Sequence, residues 1–246
     1  MTQEPELPTG GAAEEVGSLC EQGQRLLMAT EYCKAERALA QAEQIAWQQR
    51  DFDALARLYM PLQEARRQRR QRCAEGVIRL DLIAQNADDV LDAKKIVEGF
   101  PTGQLLVAGW MSLQPAQAVR ELAYERCLYL DTFLAAAFPA AVGAGSQIIM
   151  IVPLSGVRLD VLYPPAQSVV ISRAEIPPSG QAAWVAQMWQ RLHLPFLAAA
   201  DQQTDPVRKI DAYRKTIAVD YACELAHQKL ADTARALTIR PHARQA

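Results

Sequence analysis

The chain has 246 residues, half of them apolar and 22% charged, and its 26 basic and 28 acidic side chains leave a formal net charge of −2. That length supports one large domain or two small ones with a proper hydrophobic core. The near-neutral balance argues against a dedicated nucleic-acid binder, whose domain is usually markedly basic. Five widely spaced cysteines, Cys20, Cys33, Cys73, Cys127 and Cys223, form no C-x-x-C pair. They point to free thiols in a reducing compartment, so no metal or cofactor is expected and the cytoplasm is the expected location.

The first stretch, MTQEPELPTGGAAEE, is acidic and rich in Pro and Gly. It reads as a disordered tail over residues 1–16, without the apolar core of a signal peptide. Helical periodicity begins at Gly17. Leu19, Gly23, Leu26 and Leu27 share one face, and a second helix carries Ala35, Leu39, Ala42, Ile45 and Ala46 after a break near Ala29–Glu31. LCEQGQRLLMATEYCKAERALAQAEQIA resembles a tetratricopeptide repeat. Gly23 stands at the family's small position in the first helix, and Ala35, Leu39 and Ala42 match its second-helix positions. Leu19 replaces the usual Trp, Leu26 replaces the usual Tyr, and no Pro closes the unit near residue 47. The resemblance covers one unit and implies a helical hairpin, which must bury its apolar face against the rest of the chain. Asp51 is a candidate N-cap for a third helix, which Pro61 interrupts as a second repeat and which runs into the arginine-rich QEARRQRRQR.

The composition changes after Cys73. VIRLDLIA (77–84) alternates like a half-buried strand, and residues 88–100 read as a short helix with Asn86 or Asp88 near its cap. GQLLVAG (103–109) is a short apolar run of the kind buried in a parallel sheet, and Ser112 opens another helix with Pro115 in its first turn. This strand–helix–strand–helix order predicts right-handed crossovers and a parallel sheet. Residues 119–138 fit one long helix better, although LYLDTFLAA also passes as a strand after a helix ending near Arg126. Residues 146–152 and 168–172 are strands. Trp184, Val185, Met188, Trp189 and Leu192 mark a helix ahead of Pro195, and residues 206–237 form the longest periodic segment. The expected fold is α/β: a tail at 1–16, a tetratricopeptide-like hairpin plus arginine-rich helix at 17–73, and a mostly parallel sheet with crossover helices at 77–178. Long C-terminal helices at 180–238 pack on the rest, and a basic tail follows at 239–246.

Three stretches carry candidate chemistry. Residues 1–64 hold eleven acids and five bases, and Arg66, Arg67, Arg69, Arg70 and Arg72 then reverse the sign. The run can be a solvated helix end favoured by the helix dipole, or a bidentate docking surface for an acidic protein or for the acidic N-terminal segment folding back. Nucleic acid is the third reading, disfavoured because no aromatics interleave with the arginines. At the carboxyl ends of the strands, Gly109, Trp110 and Ser112, flanked by Asn86 and Asp88, mark a place where an α/β sheet can receive a phosphorylated or nucleotide ligand; Ser112 can equally be a plain cap. Glu224-x-x-His227 has the spacing of a carboxylate–histidine metal pair, but no second pair exists to complete it. GAG at 143–145 precedes a strand, the wrong context for a dinucleotide fingerprint, and His193 reads as a packed or capping residue. No residue presents itself as catalytic. The expected function is a non-enzymatic interaction or adaptor protein using the arginine-rich helix end, with small-ligand binding near Gly109–Ser112 as the alternative. The expected partner is a protein with an acidic surface, and no membrane is involved. A homo-oligomer joined through the C-terminal helix is a third option.

Overall fold

A computed structural model describes residues 9–139, 147–153 and 167–239. Helices α1 (Thr9–Met28), α2 (Tyr32–Gln48) and α3 (Phe52–Ala74) lead into β1 (Val77–Ile83), α4 (Ala93–Gly99), β2 (Gly103–Trp110), α5 (Gln114–Glu125) and β3 (Leu130–Phe138). Strands β4 (Ile148–Val152) and β5 (Val169–Ser172) follow, then helices α6 (Gln181–Asp201), α7 (Pro206–Val219) and α8 (Glu224–Ile239). The architecture is α/β. Among the described residues, no helix is long and apolar enough to cross a membrane. The N-terminal residues 1–8, the GAG stretch and the basic tail from residue 240 lie outside the described residues.

The five strands lie in the order β1-β2-β3-β4-β5. β1, β2 and β3 run parallel through crossovers containing α4 and α5, as the strand–helix alternation requires; β4 and β5 are added antiparallel. Alternation along the strands divides the core. Leu106 and Phe133 face α6, where Val185, Met188, Trp189 and Leu192 cover them. Leu105, Val107 and Leu134 face the opposite way, beneath Ile96 and Val97 of α4 and Val119 of α5. Covering both faces explains the nearly uninterrupted apolar sequences of β2 and β3. A separate helical layer joins α1, α2, α3, α7 and α8 around Leu39, Leu55, Leu58, Tyr59, Leu62 and Tyr213. In its hairpin Gly23 leaves room for the second helix: a Cβ there would overlap the Leu39 side chain. The layer rests on the start of β3, where Cys33 Sγ contacts the Leu128 carbonyl and the Tyr129 hydroxyl reaches the Thr30 carbonyl.

Several boundaries differ from the sequence expectation, each for a local reason. Residues 9–16, expected to be disordered, belong to α1, and Val16 is buried in the helical core. The expected long helix at 119–138 stops at Glu125. Cys127 takes a left-handed φ of 53°, its N–H donates to the Tyr124 carbonyl, and the Leu128 N–H donates to the Ala123 carbonyl. This is a Schellman motif with Cys where glycine is usual. Thr30 (φ 60°) and Arg50 (φ 56°) close α1 and α2 in the same way, with Glu31 and Asp51 donating to Leu26 and Ala46. Asp92, rather than Asn86 or Asp88, caps α4 by accepting from the Lys94 and Lys95 N–H groups. The periodic segment 206–237 breaks at Asp220, whose carboxylate accepts from its own Ala222 N–H. Pro61 and Pro195 do not end their helices. An interior proline costs about 3 kcal/mol, which burial of Leu58, Tyr59 and Leu62 offsets in α3 and burial of Leu192 and Leu197 offsets in α6.

A left-handed non-glycine residue costs roughly 1–2 kcal/mol, less what glycine loses in unfolded-chain entropy. Thr30→Gly and Arg50→Gly, both at exposed positions, are therefore expected to stabilise the protein by about 0.5–1 kcal/mol each. Urea unfolding checks this: the midpoint should rise while the slope stays constant.

Candidate functional site

The arginine run occupies the last turns of α3, and helical geometry divides it. Arg66, Arg69 and Arg70 turn inward, with side chains 13%, 14% and 18% exposed, whereas Arg67 and Arg72 remain 45% and 50% exposed. The outer two pair within their own helix end, Arg67 with Glu64 and Arg72 with Glu75. The inner three find carboxylates from elsewhere in the fold. Glu36, on α2 in the acidic N-terminal segment, accepts from Arg66 Nε at 3.1 Å and from Arg69 Nη1 at 2.7 Å. Burial works to raise the Glu36 pKa, but Arg69 and Arg66 outweigh it and hold the carboxyl below its usual range.

Arg70 joins the sheet to the C-terminal helices. Its Nη2 donates to Asp220 Oδ1 at 2.9 Å, and its Nε lies 2.7 Å from Asp131 Oδ2 at the start of β3. The latter is an ion pair without an aligned hydrogen, since Asp131 Oδ2 receives no hydrogen bond among the described residues. The guanidinium stacks 4.4 Å from the Trp189 ring centroid and 4.7 Å from that of Tyr221, which Arg69 also approaches at 4.6 Å. Tyr221 donates to Asp131 Oδ1 at 2.7 Å. Its phenol pKa is raised by burial and by the Asp131 charge, so it remains a donor.

Two histidines complete the network in opposite protonation states. His193 Nδ1 donates to Asp220 Oδ2 at 2.7 Å. Burial alone would lower its pKa, but Asp220 and the adjacent Cys223 thiol raise it to about 9. Asp220 is itself lowered, against burial, by Arg70 and His193. His227 lies 3.1 Å from Arg66 Nη1 through Nε2 and 2.8 Å from the Cys223 carbonyl through Nδ1. Arginine can only donate, so Nε2 accepts and Nδ1–H donates, which defines a neutral tautomer. Burial and Arg66 push its pKa down to about 3. Glu224, its partner in the Glu-x-x-His spacing, is exposed, and among the described residues no group of three His, Cys, Asp or Glu side chains could hold a metal ion.

Beside this network lies a cleft of about 480 Å³, bounded by α5, α6 and the first residues of β3. β4 pairs with β3 only from Leu134 onward, so among the described residues Asp131 and Thr132 have β2 on one side and the cleft on the other. Arg69, Arg120, Thr132, Trp189 and Tyr221 line it. Thr132 and Trp189 are only 3% and 7% exposed. Yet Thr132 Oγ1, Trp189 Nε1 and Arg69 Nε have no hydrogen-bond partner among the described residues. Arg120, partly buried on α5, has no ion pair among them either. Burial lowers its pKa; Asp131 opposes this, and Arg69 and Arg70 add to it. Buried donors left without acceptors are rare and costly.

The residues suggested at the strand ends are arranged differently. Gly109, Trp110 and Ser112 border a depression of about 770 Å³, and Asn86 and Asp88 do not line it. A Cβ on Gly109 would meet Pro115 Cγ and the Ser112 carbonyl at 2.8 Å, so the space over the glycine is already filled by the chain. Ser112 Oγ accepts from the Gln114 N–H, and Asn86 Oδ1 accepts from the Asp88 N–H. Asp89 and Glu121 stand on the same wall, where their charges oppose a phosphate. Models of known families, curated proteins and solved structures yield no match to this chain.

Removing the shared acceptor of two buried arginines should be severe. Glu36→Leu is expected to cost roughly 3–5 kcal/mol, whereas Arg67→Ala should stay within about 0.5 kcal/mol; chemical denaturation of both variants checks the contrast. The histidines set a pH response. A folded-state pKa raised from 6.5 to about 9 gives His193 a stabilising contribution that is complete below pH 6.5 and lost as pH rises through about 9. His227, lowered to about 3, contributes above pH 6.5 and loses that contribution as pH falls toward 3. NMR titration should show one imidazole titrating near 9 and another neutral down to about 3, and His193→Gln should flatten the loss of stability between pH 6.5 and 9.

Proposed function

We propose that the protein is a binding module for a small anionic ligand, held in the cleft between α5, α6 and the start of β3. The observation that carries this reading is Arg120, a partly buried guanidinium that lines the cleft and has no ion pair among the described residues. Of the three carboxylates on the cleft wall, Glu36 and Asp131 are already paired with Arg66, Arg69 and Arg70, and Glu121 is exposed. In this reading the inner arginines form a rigid cationic wall, and Arg120 is the main contact to the ligand.

The adaptor reading draws its support from Arg67 and Arg72, which remain about half exposed and pair only with neighbours on their own helix end. The two readings separate in one comparison. Sulfate or phosphate, added at constant ionic strength, should raise the melting temperature of the native protein and of the Arg67→Glu/Arg72→Glu variant alike. Arg120→Gln should remove that rise while leaving the fold intact by circular dichroism. A rise that survives Arg120→Gln, or no rise in the native protein, overturns the ligand-binding reading.

A further inference from the structure

Away from the cleft's chemistry, two cysteines meet where the helical hairpin rests on the sheet layer. The Tyr129 hydroxyl lies 3.5 Å from the Thr30 carbonyl, and Cys33 Sγ lies 3.8 Å from the Leu128 carbonyl. The start of α2 therefore sits on the turn that joins α5 to β3, and Cys127 is the residue of that turn next to Leu128. The two thiols act on each other across this contact. Burial pushes the Cys33 thiol up to about 11, with Arg69, Glu36 and Cys127 among the groups that bear on it. Lys34, raised chiefly by its partner Glu31, also responds to Cys127.

The turn itself gives no reason for a cysteine. Residue 127 has the left-handed φ of 53° that a Schellman motif reserves for glycine, so its Cβ is held there against a local penalty. Cys127 is partly exposed and Cys33 is buried. A third thiol, Cys73, is pushed far up by burial and further by Asp131, and Cys33 acts on it too. At 0% exposure, however, Cys73 is closed to an oxidant.

We propose that Cys33 and Cys127 are a redox-sensitive pair, which hydrogen peroxide converts to a disulfide stapling the helical layer to the α5–β3 turn. The inference is independent of the ligand-binding reading. Cys127, open to solvent, reacts first. Its thiolate attacks one peroxide oxygen, the O–O bond breaks, and the departing hydroxide takes up the thiol proton as water, leaving a sulfenic acid. The Cys33 sulfur then attacks the Cys127 sulfur. The S–O bond breaks, the S–S bond forms, and the released hydroxide leaves with the Cys33 proton as a second water. Two thiols are oxidised by two electrons in all, and one peroxide is reduced to two waters. Because Cys127 lies outside both α5 and β3, closing the bond adjusts a turn and leaves the strand ladder in place.

Peptide mapping of the full chain tests this, after peroxide treatment under native conditions and blocking of the remaining thiols. The expected product is a Cys33–Cys127 linked peptide within one chain, lost on addition of dithiothreitol. A disulfide closing so long a loop should raise the melting temperature by about 4 °C or more over the reduced protein. Cys127→Gly suits the turn and should fold at least as well as the native chain, yet show neither the linked peptide nor the peroxide-induced rise. In Cys33→Ala, dimedone should trap Cys127 as the sulfenic acid. A native protein in which peroxide leaves Cys127 dimedone-reactive with Cys33 still free would overturn the pair. So would a Cys33–Cys73 link, a link between two chains, no reaction at Cys127, or a rise in melting temperature that survives Cys127→Gly.

Discussion

One guanidinium, that of Arg70, forms ion pairs with a carboxylate at the start of β3 and with another on the link between α7 and α8, while stacked on Trp189 of α6. The helical layer with α7 and α8, the sheet face under α6 and the sheet face under α4 and α5 form three separate apolar cores, and apolar contact specifies the register between them only loosely. Charge pairs do, because their geometry is directional and an unpaired member is expensive to bury. Arg70 and its neighbours thus act as a registration device. Asp220 breaks the C-terminal periodic segment, caps its own turn and receives Arg70 and His193 at that break. Tyr221, next along, is carried into contact with Asp131.

Burying so much charge has a consequence at the cleft. The network pairs its carboxylates with arginines yet leaves Arg69 Nε, Thr132 Oγ1, Trp189 Nε1 and Asp131 Oδ2 without a hydrogen-bond partner among the described residues, all on residues that line the cleft. An apolar seam between the layers would have been cheaper in desolvation terms. The residues that line the cleft come from elements distant in sequence, among them α3, α5, β3 and α6.

The α/β class, the helical hairpin and the strands other than β3, which the sequence placed in a helix over 119–138, were legible because period-2 and period-3.6 patterns, together with short apolar runs, reflect local geometry. Helix ends were legible only where the chemistry is conventional. Asp51 accepts from the Ala54 N–H as an N-cap should. The Schellman turns at Thr30, Arg50 and Cys127 were not visible, because no glycine marks them and tertiary packing holds the left-handed residue in place. The prolines misled in the other direction, since burial of neighbouring leucines outweighs a local penalty.

For the site, the sequence singled out the arginine run and even its acidic counterpart, the N-terminal segment that contains Glu36. It could not say which arginines face inward, nor that Arg120, Thr132 and Trp189 would converge on the same opening. Two warnings were present: Asp131 sits alone in the apolar stretch LDTFLAAAF, and Asp220 interrupts a helical stripe. A carboxylate in such a place demands a cation, but the sequence does not name which one. What the sequence by itself determined was the elements, the apolar faces and the supply of charge, all properties of residues near one another along the chain. Tertiary structure alone decided which charges neutralise each other and which donors remain unspent, because ion pairs spanning up to 171 residues depend on the packing of whole layers.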